Sequence, residues 1–117
     1  MKIREVMETL KATVLVGEDQ LDKEVVAAGS ADLMDDILAA LAEGSVLLTG
    51  VPTERVLRVA KVAGVGAIVF VRGKMPGERV IEMAESFNVP ILQTQYSMFV
   101  ASGRLYMNGL RGLDGSW

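Results

Sequence analysis

Apolar and polar positions along this chain fall into blocks of two alternating kinds. The stretch VLLTG is almost wholly apolar, VPTERVLRVAKVAGV is two-faced, and GAIVFVRGK is apolar again. That succession predicts one β-α-β unit. The same rhythm continues through ERVIEMAESFNV and PILQT, so the pattern predicts an α/β fold: a single three-layer domain with a mostly parallel sheet. Ala67 to Val71 reads AIVFV, apolar at consecutive positions, and a strand of that kind must be covered on both faces. It is expected in the sheet interior, between the strands that hold Val46–Leu48 and Ile91–Leu92.

The remaining elements follow from spacing and punctuation. Ile3, Val6, Met7 and Leu10 fall at i, i+3, i+4 and i+7, one face of a short helix. Thr13–Val16 and Glu24–Gly29 read as strands, with LDKE between them as turn. SADLMDDILAALAEG predicts a helix capped by Ser30 or Asp32, with Leu33, Ile37, Leu38 and Leu41 inward and Gly44 as its stop. Pro52 suits the first turn of a helix that runs to about Ala63, with Val56, Leu57, Val59, Ala60 and Val62 as its apolar side, and Gly64 ends it. A further helix is predicted from about Glu78 to Phe87, with Val80, Ile81, Met83 and Ala84 inward and Asn88 as a left-handed cap. Pro90–Thr94 is the last strand. Ser97 then caps a final helix carrying the apolar residues Met98, Val100, Ala101, Leu105 and Tyr106. Residues 1–110 are expected to form the domain, and 111–117 a loose tail.

Composition narrows the chemistry by exclusion. The 117 residues suit one domain, and 50% hydrophobic against 5% aromatic residues means an aliphatic core. The absence of Cys removes disulfides, thiolate metal sites and thiol nucleophiles, and the absence of His removes the commonest metal ligand and general base. MKIREVMETL has no apolar signal core and no apolar run approaches a membrane span, so a cytoplasmic protein is expected. A formal charge of −3 gives no overall attraction to nucleic acid or to anionic membrane, and neither is expected as a partner. No cofactor and no metal are expected. A homo-oligomer is, most simply a dimer, because the chain is apolar for its size and two-fold assembly is the commonest kind.

Phosphate-binding motifs are absent in their standard forms. GAIVFVRGKM places six residues between its glycines and puts Met75 where a P-loop needs Ser or Thr, and GVGAIV precedes a strand where a dinucleotide fingerprint must follow one. The strand ends are the better candidates, since ligands of open parallel sheets sit beyond the carboxyl ends of the strands. Those ends bring Ser30, Asp32, Thr49, Gly50, Arg72 and Lys74 toward one rim, where backbone amides and two cations can hold a phosphate or carboxylate. The plainer account is that Gly and Ser make turns and caps while Arg72 and Lys74 are solvated. Asp32 and Asp36, spaced i, i+4, can share a divalent cation, but Asp32, Asp35 and Asp36 are more simply an acidic first turn that favours the helix dipole. Met7, Met34, Met83 and Met98 fit core or interface positions, and Tyr96 fits a half-buried helix start.

GSADLMDDILAAL, GSVLLTG, AIVFVRGKMPGERVIEMAESFNVPILQT and SMFVASGRLYMNGL together resemble the DRTGG domain, over about Lys2 to Leu110. That module is similar to the amino-terminal domain of bacterial HPr serine kinase and to a domain inserted in some phosphotransacetylases. The string that names the family is missing, its nearest equivalent being Leu48-Thr49-Gly50-Val51. The resemblance implies an α/β fold like that of the HPr kinase and Mur ligase amino-terminal domains, no catalysis of its own, and a regulatory or sensing role, with a nucleotide-like ligand by analogy. The expected function is therefore a non-catalytic regulatory module for a small anionic ligand or a partner protein. A pure interaction or oligomerisation domain and a small enzyme using carboxylates and Lys74 are the alternatives.

Overall fold

The computed structural model describes residues 1–33 and 43–113. In chain order the elements are α1 (Ile3–Leu10), β1 (Thr13–Val16), β2 (Ala28–Ser30), β3 (Val46–Thr49), α2 (Glu54–Ala63), β4 (Ala67–Phe70), α3 (Glu78–Phe87), β5 (Ile91–Gln93) and α4 (Met98–Met107). A 3-10 turn at Glu18–Gln20 follows β1. The five strands form one sheet in the order β1-β5-β4-β3-β2. β2, β3, β4 and β5 are parallel, while β1 runs antiparallel on the edge beside β5. The AIVF strand thus lies in the centre, flanked as its composition requires, with Val46 opposite Ala67 and Ile68 opposite Ile91.

Side-chain alternation divides each strand between two cores. Leu47, Ile68, Phe70 and Ile91 face α2 and α3, which present Val56, Leu57, Ala60, Val80 and Ala84. Val46, Leu48, Ala67, Val69 and Leu92 face α1 and α4, which present Ile3, Val6, Leu10, Ala101 and Leu105. The result is the three-layer α/β/α arrangement. Phe70 is fully buried in the first core, a position where truncation to Ala costs about 3–5 kcal/mol.

Local chemistry sets the element ends. The Thr53 side chain accepts from the Val56 amide at 3.5 Å, and Ser97 Oγ accepts from the Val100 amide at 3.2 Å. Gly64 and Asn88 close α2 and α3 at φ +73° and +59°, the left-handed cap that Gly and Asn tolerate best. Thr53 therefore caps α2, and Pro52 stands before the helix, not in its first turn.

Three further expectations need correction. The second strand is Ala28–Ser30 and not Glu24–Gly29, because the amides of Val25 and Val26 are committed elsewhere, to Met1 O and Gly44 O. Val62 is 80% exposed, since two residues beyond Ala60 is about 200° around the helix. Val100 and Tyr106 are exposed as well, leaving Ala101 and Leu105 as the fully buried residues of α4. Residues 111–113 of the stretch expected to be loose run beside β2: the Ala28 amide donates to Arg111 O at 2.8 Å, Gly112 bridges to Ala28, and Leu113 packs over Gly29. The predicted helix positions Met34, Asp35, Asp36, Ile37, Leu38 and Leu41, and the terminal Trp117, lie outside the described residues.

Candidate ligand-binding rim

β3 and β4 are neighbours, so their carboxyl ends place Thr49-Gly50 beside Val71-Arg72-Gly73-Lys74. Asp32 joins them from the segment after β2. Its Oδ1 accepts from the Gly50 amide at 2.8 Å and from Thr49 Oγ1 at 3.1 Å. Thr49 is fully buried, and its hydroxyl oxygen also accepts from the Val51 amide at 3.2 Å. The carboxylate therefore fixes the turn out of β3.

Gly50 lies directly beneath the guanidinium of Arg72. A Cβ at residue 50 would stand 2.9 Å from Arg72 Nη2 and 3.7 Å from Asp32 Oδ1, so the missing side chain is what lets both charged groups close over the backbone. Arg72 itself has φ +57° and Gly73 φ +66°, with the Lys74 amide donating to Val71 O at 3.1 Å. Two successive positive φ angles define a type I′ turn, where Asn or Gly is the usual first residue. An L-residue with a long side chain costs about 1 kcal/mol there. The turn is held by the segment just after β5: the Arg72 amide donates to Tyr96 O and the Gly73 amide to Thr94 O, both at 2.8 Å. Gln93, buried in β5, donates from Nε2 to Gly73 O at 3.1 Å and to Lys74 O at 3.2 Å.

The six residues expected at this rim thus divide. Asp32, Thr49, Gly50 and Arg72 come together, and Lys74 is exposed at the end of the same turn. Ser30 turns away, its Oγ lying 2.6 Å from Ser102 Oγ of α4 beside a cavity of about 160 Å³ lined by Leu48, Leu105 and Tyr106. A second hollow of about 320 Å³, lined by Leu10, Lys11, Thr94, Gln95 and Tyr96, adjoins the backbone partners of Arg72 and Gly73. Tyr96 is half-buried, with the Arg104 guanidinium 4.5 Å above its ring. Among the described residues no group of three or more acidic, His or Cys side chains could hold a metal ion.

Gln93 is the positioning residue that pattern reading missed. A Gln inside the otherwise apolar strand PILQT was the available signal, because a buried amide must find partners. The arrangement presents one guanidinium and one ammonium to solvent around backbone already ordered by Asp32 and Gln93. It suits reversible gripping of an anion, the guanidinium through two parallel bonds and the ammonium as a point charge.

A doubly covered, mostly parallel α/β sheet with a cationic turn at its strand ends is the architecture of this domain. The chain belongs to the DRTGG domain family, whose model matches residues 5–107. Its fold is similar to the crystal structure of the CBS and DRTGG domains of the regulatory region of Clostridium perfringens pyrophosphatase, complexed with an activator, diadenosine tetraphosphate. The similarity has a TM-score of 0.74 at 18% identity, over 89% of this chain and 45% of that one. The chain therefore spans less than half the length of that neighbour. No curated protein matches it. Among the described residues no helix is long and apolar enough to cross a membrane.

Proposed function

We propose that this domain is a regulatory module that senses a small anionic, nucleotide-like ligand at the carboxyl-end rim of its sheet and performs no chemistry on it. The observation that carries the reading is Arg72, a long cationic side chain kept on a left-handed backbone with its guanidinium closed over a bare glycine. Strain of this kind persists where the surroundings over-determine it, and it concentrates at binding sites. Arg72 and Lys74 grip the anion, Asp32 and Gln93 hold the turns beneath them, and the hollow beside Tyr96 has room for part of a larger ligand. The activator bound by the regulatory region of the pyrophosphatase is a polyphosphate flanked by nucleosides, which supports the same ligand class here. The reading places the domain in the cytoplasm and gives it a second copy of itself as partner.

A thermal-shift panel of inorganic phosphate, pyrophosphate, mono- and dinucleotides and diadenosine tetraphosphate tests the proposal. A ligand that binds the folded state stabilises it by mass action, about 2.7 kcal/mol at a hundredfold excess over Kd. The expected result is a saturable rise in Tm for at least one phosphate-bearing nucleotide, with the compound recovered unchanged after incubation. A panel that leaves Tm unmoved, or a compound that is consumed, overturns it.

A further inference from the structure

Helix α4 carries a second apolar stripe that its own domain does not cover. Phe99 is 87% exposed, Met107 86%, Tyr106 45% and Val100 39%, while the buried side of the helix is Ala101 and Leu105. At about 100° per residue these four side chains flank Gly103 on either side, Phe99 and Tyr106 to one edge and Met107 and Val100 to the other. A Cβ at Gly103 would meet nothing within 4 Å. A mid-helix glycine costs about 0.5–1 kcal/mol against alanine, and among the described residues nothing approaches it closely enough to require one.

The stripe is a palindrome about Gly103. In an antiparallel helix pair related by a two-fold axis beside residue 103, each edge meets the same edge of the other copy, so Phe99 of one copy faces Tyr106 of the other and Val100 faces Met107. Each contact is repeated in reverse, as an isologous interface demands. The bare backbone at Gly103 lets the two helices approach closely at the axis. No carboxylate lies on α4, and Arg104 is drawn aside over the Tyr96 ring, so two copies meet without a like-charge conflict on the stripe. Four side chains per copy make a patch of a few hundred Å², roughly the low end of specific interfaces, where contacts are weak and reversible.

We propose that a second copy of this chain docks on α4, antiparallel and centred on Gly103, giving a dimer that dissociates in the micromolar range. This rests on the reading that the partner is a second copy, and adds where the two meet. Sedimentation of the full chain from micromolar to millimolar concentration should show one species becoming two-copy, and Phe99→Glu or Met107→Glu should raise the dissociation constant at least tenfold with unchanged circular dichroism. The chain has no cysteine, so single cysteines report cleanly. Under mild oxidation Gly103→Cys should cross-link to itself, Phe99→Cys should cross-link preferentially to Tyr106→Cys, and Val62→Cys, exposed on α2, should do neither. A monomer throughout overturns both the two-copy reading and its placement, as does a monomer that co-sediments with anionic vesicles, which would give the stripe to a membrane. A dimer indifferent to the glutamate variants, with Gly103→Cys no faster to cross-link than Val62→Cys, leaves the two-copy reading standing and overturns the α4 interface.

Discussion

The two rims of the sheet use the same vocabulary of glycine, amide and charge to opposite ends. At the amino-end rim the polar groups are turned inward on the fold. The Gly44 amide donates to Gly64 O at 2.8 Å and the Gly66 amide to Ser45 O at 2.7 Å. Gln20 donates from Nε2 to both the backbone and side-chain oxygens of Asn88, and Lys61 Nζ donates to Phe87 O at 3.0 Å. Left-handed residues there are Gly17, Gly44, Gly64 and Asn88, types that take the conformation with little strain. At the carboxyl-end rim the left-handed residues include Lys11, which caps α1, and the pair Arg72 and Gly73, and the cations at 72 and 74 are left in solvent. One rim closes the chain. The other keeps strain and charge in solvent, which is what the proposed ligand rim requires.

Substitutions separate the rims by effect size. The largest is expected at Gly17, where φ is +90° and a Cβ would stand 2.9 Å from the backbone Cα of Pro90. Gly17→Ala combines left-handed strain with backbone overlap, and about 3 kcal/mol of stability should be lost in urea unfolding, with no change in ligand affinity for the folded fraction. Next is Arg72→Ala, which should weaken binding of the best phosphate-bearing nucleotide by about ten- to a hundredfold, the value of one charged hydrogen-bonding group, while the Tm of the free protein hardly moves. Arg72→Lys should recover little of that loss, since the bidentate grip is gone.

Arg72→Gly sharpens the comparison further. It should bind as poorly as Arg72→Ala but stabilise the free domain by about 0.5–1 kcal/mol, since glycine relieves the left-handed strain. Calorimetry on the two variants side by side would show it. Equal melting points would mean that the turn holds no strain at residue 72.

The smallest effect is a pH dependence far from the rim. Arg4 Nε donates to Asp22 Oδ1 at 3.1 Å. That hydrogen bond, and then the charge of Arg4, hold the Asp22 carboxyl below its ordinary range. A depressed folded-state pKa contributes stability that is present above the unfolded carboxylate value and is lost as pH falls through the folded one. Unfolding between about pH 5 and pH 2 should therefore show a slightly shallower acid slope in Asp22→Asn than in the native chain. The pair is exposed, so the difference should be small and should shrink further in high salt.

Much of this was legible in the sequence where one signal dominated. AIVFV could only be a strand covered on both faces, and it lies at the sheet centre with Phe70 buried. Glu78–Phe87 and its Asn88 cap were read with the observed bounds because period and cap agree. The buried face of α4 could not be read for a physical reason: the helix is apolar nearly all round, and periodicity cannot choose a buried face when both faces are apolar. The convergence of Thr49, Gly50 and Arg72 followed from the adjacency of two strands. The Ser30–Ser102 contact joins residues 72 apart in sequence, and no local pattern announces it. Nor could spacing foretell that Arg72 adopts φ +57°, since its turn is held by bonds to Gln93 of β5 and to Thr94 and Tyr96 just after it.

The most direct test is an amide chemical-shift titration of the full chain with the nucleotide that raises Tm most. The expected result is saturable shifts centred on Gly50, Arg72, Gly73 and Lys74, abolished in Arg72→Ala with the rest of the spectrum intact. Shifts centred instead on Ser102, Tyr106 and the cavity beside Ser30, or unchanged affinity in Arg72→Ala, would contradict the assignment of the sensing site to the carboxyl-end rim.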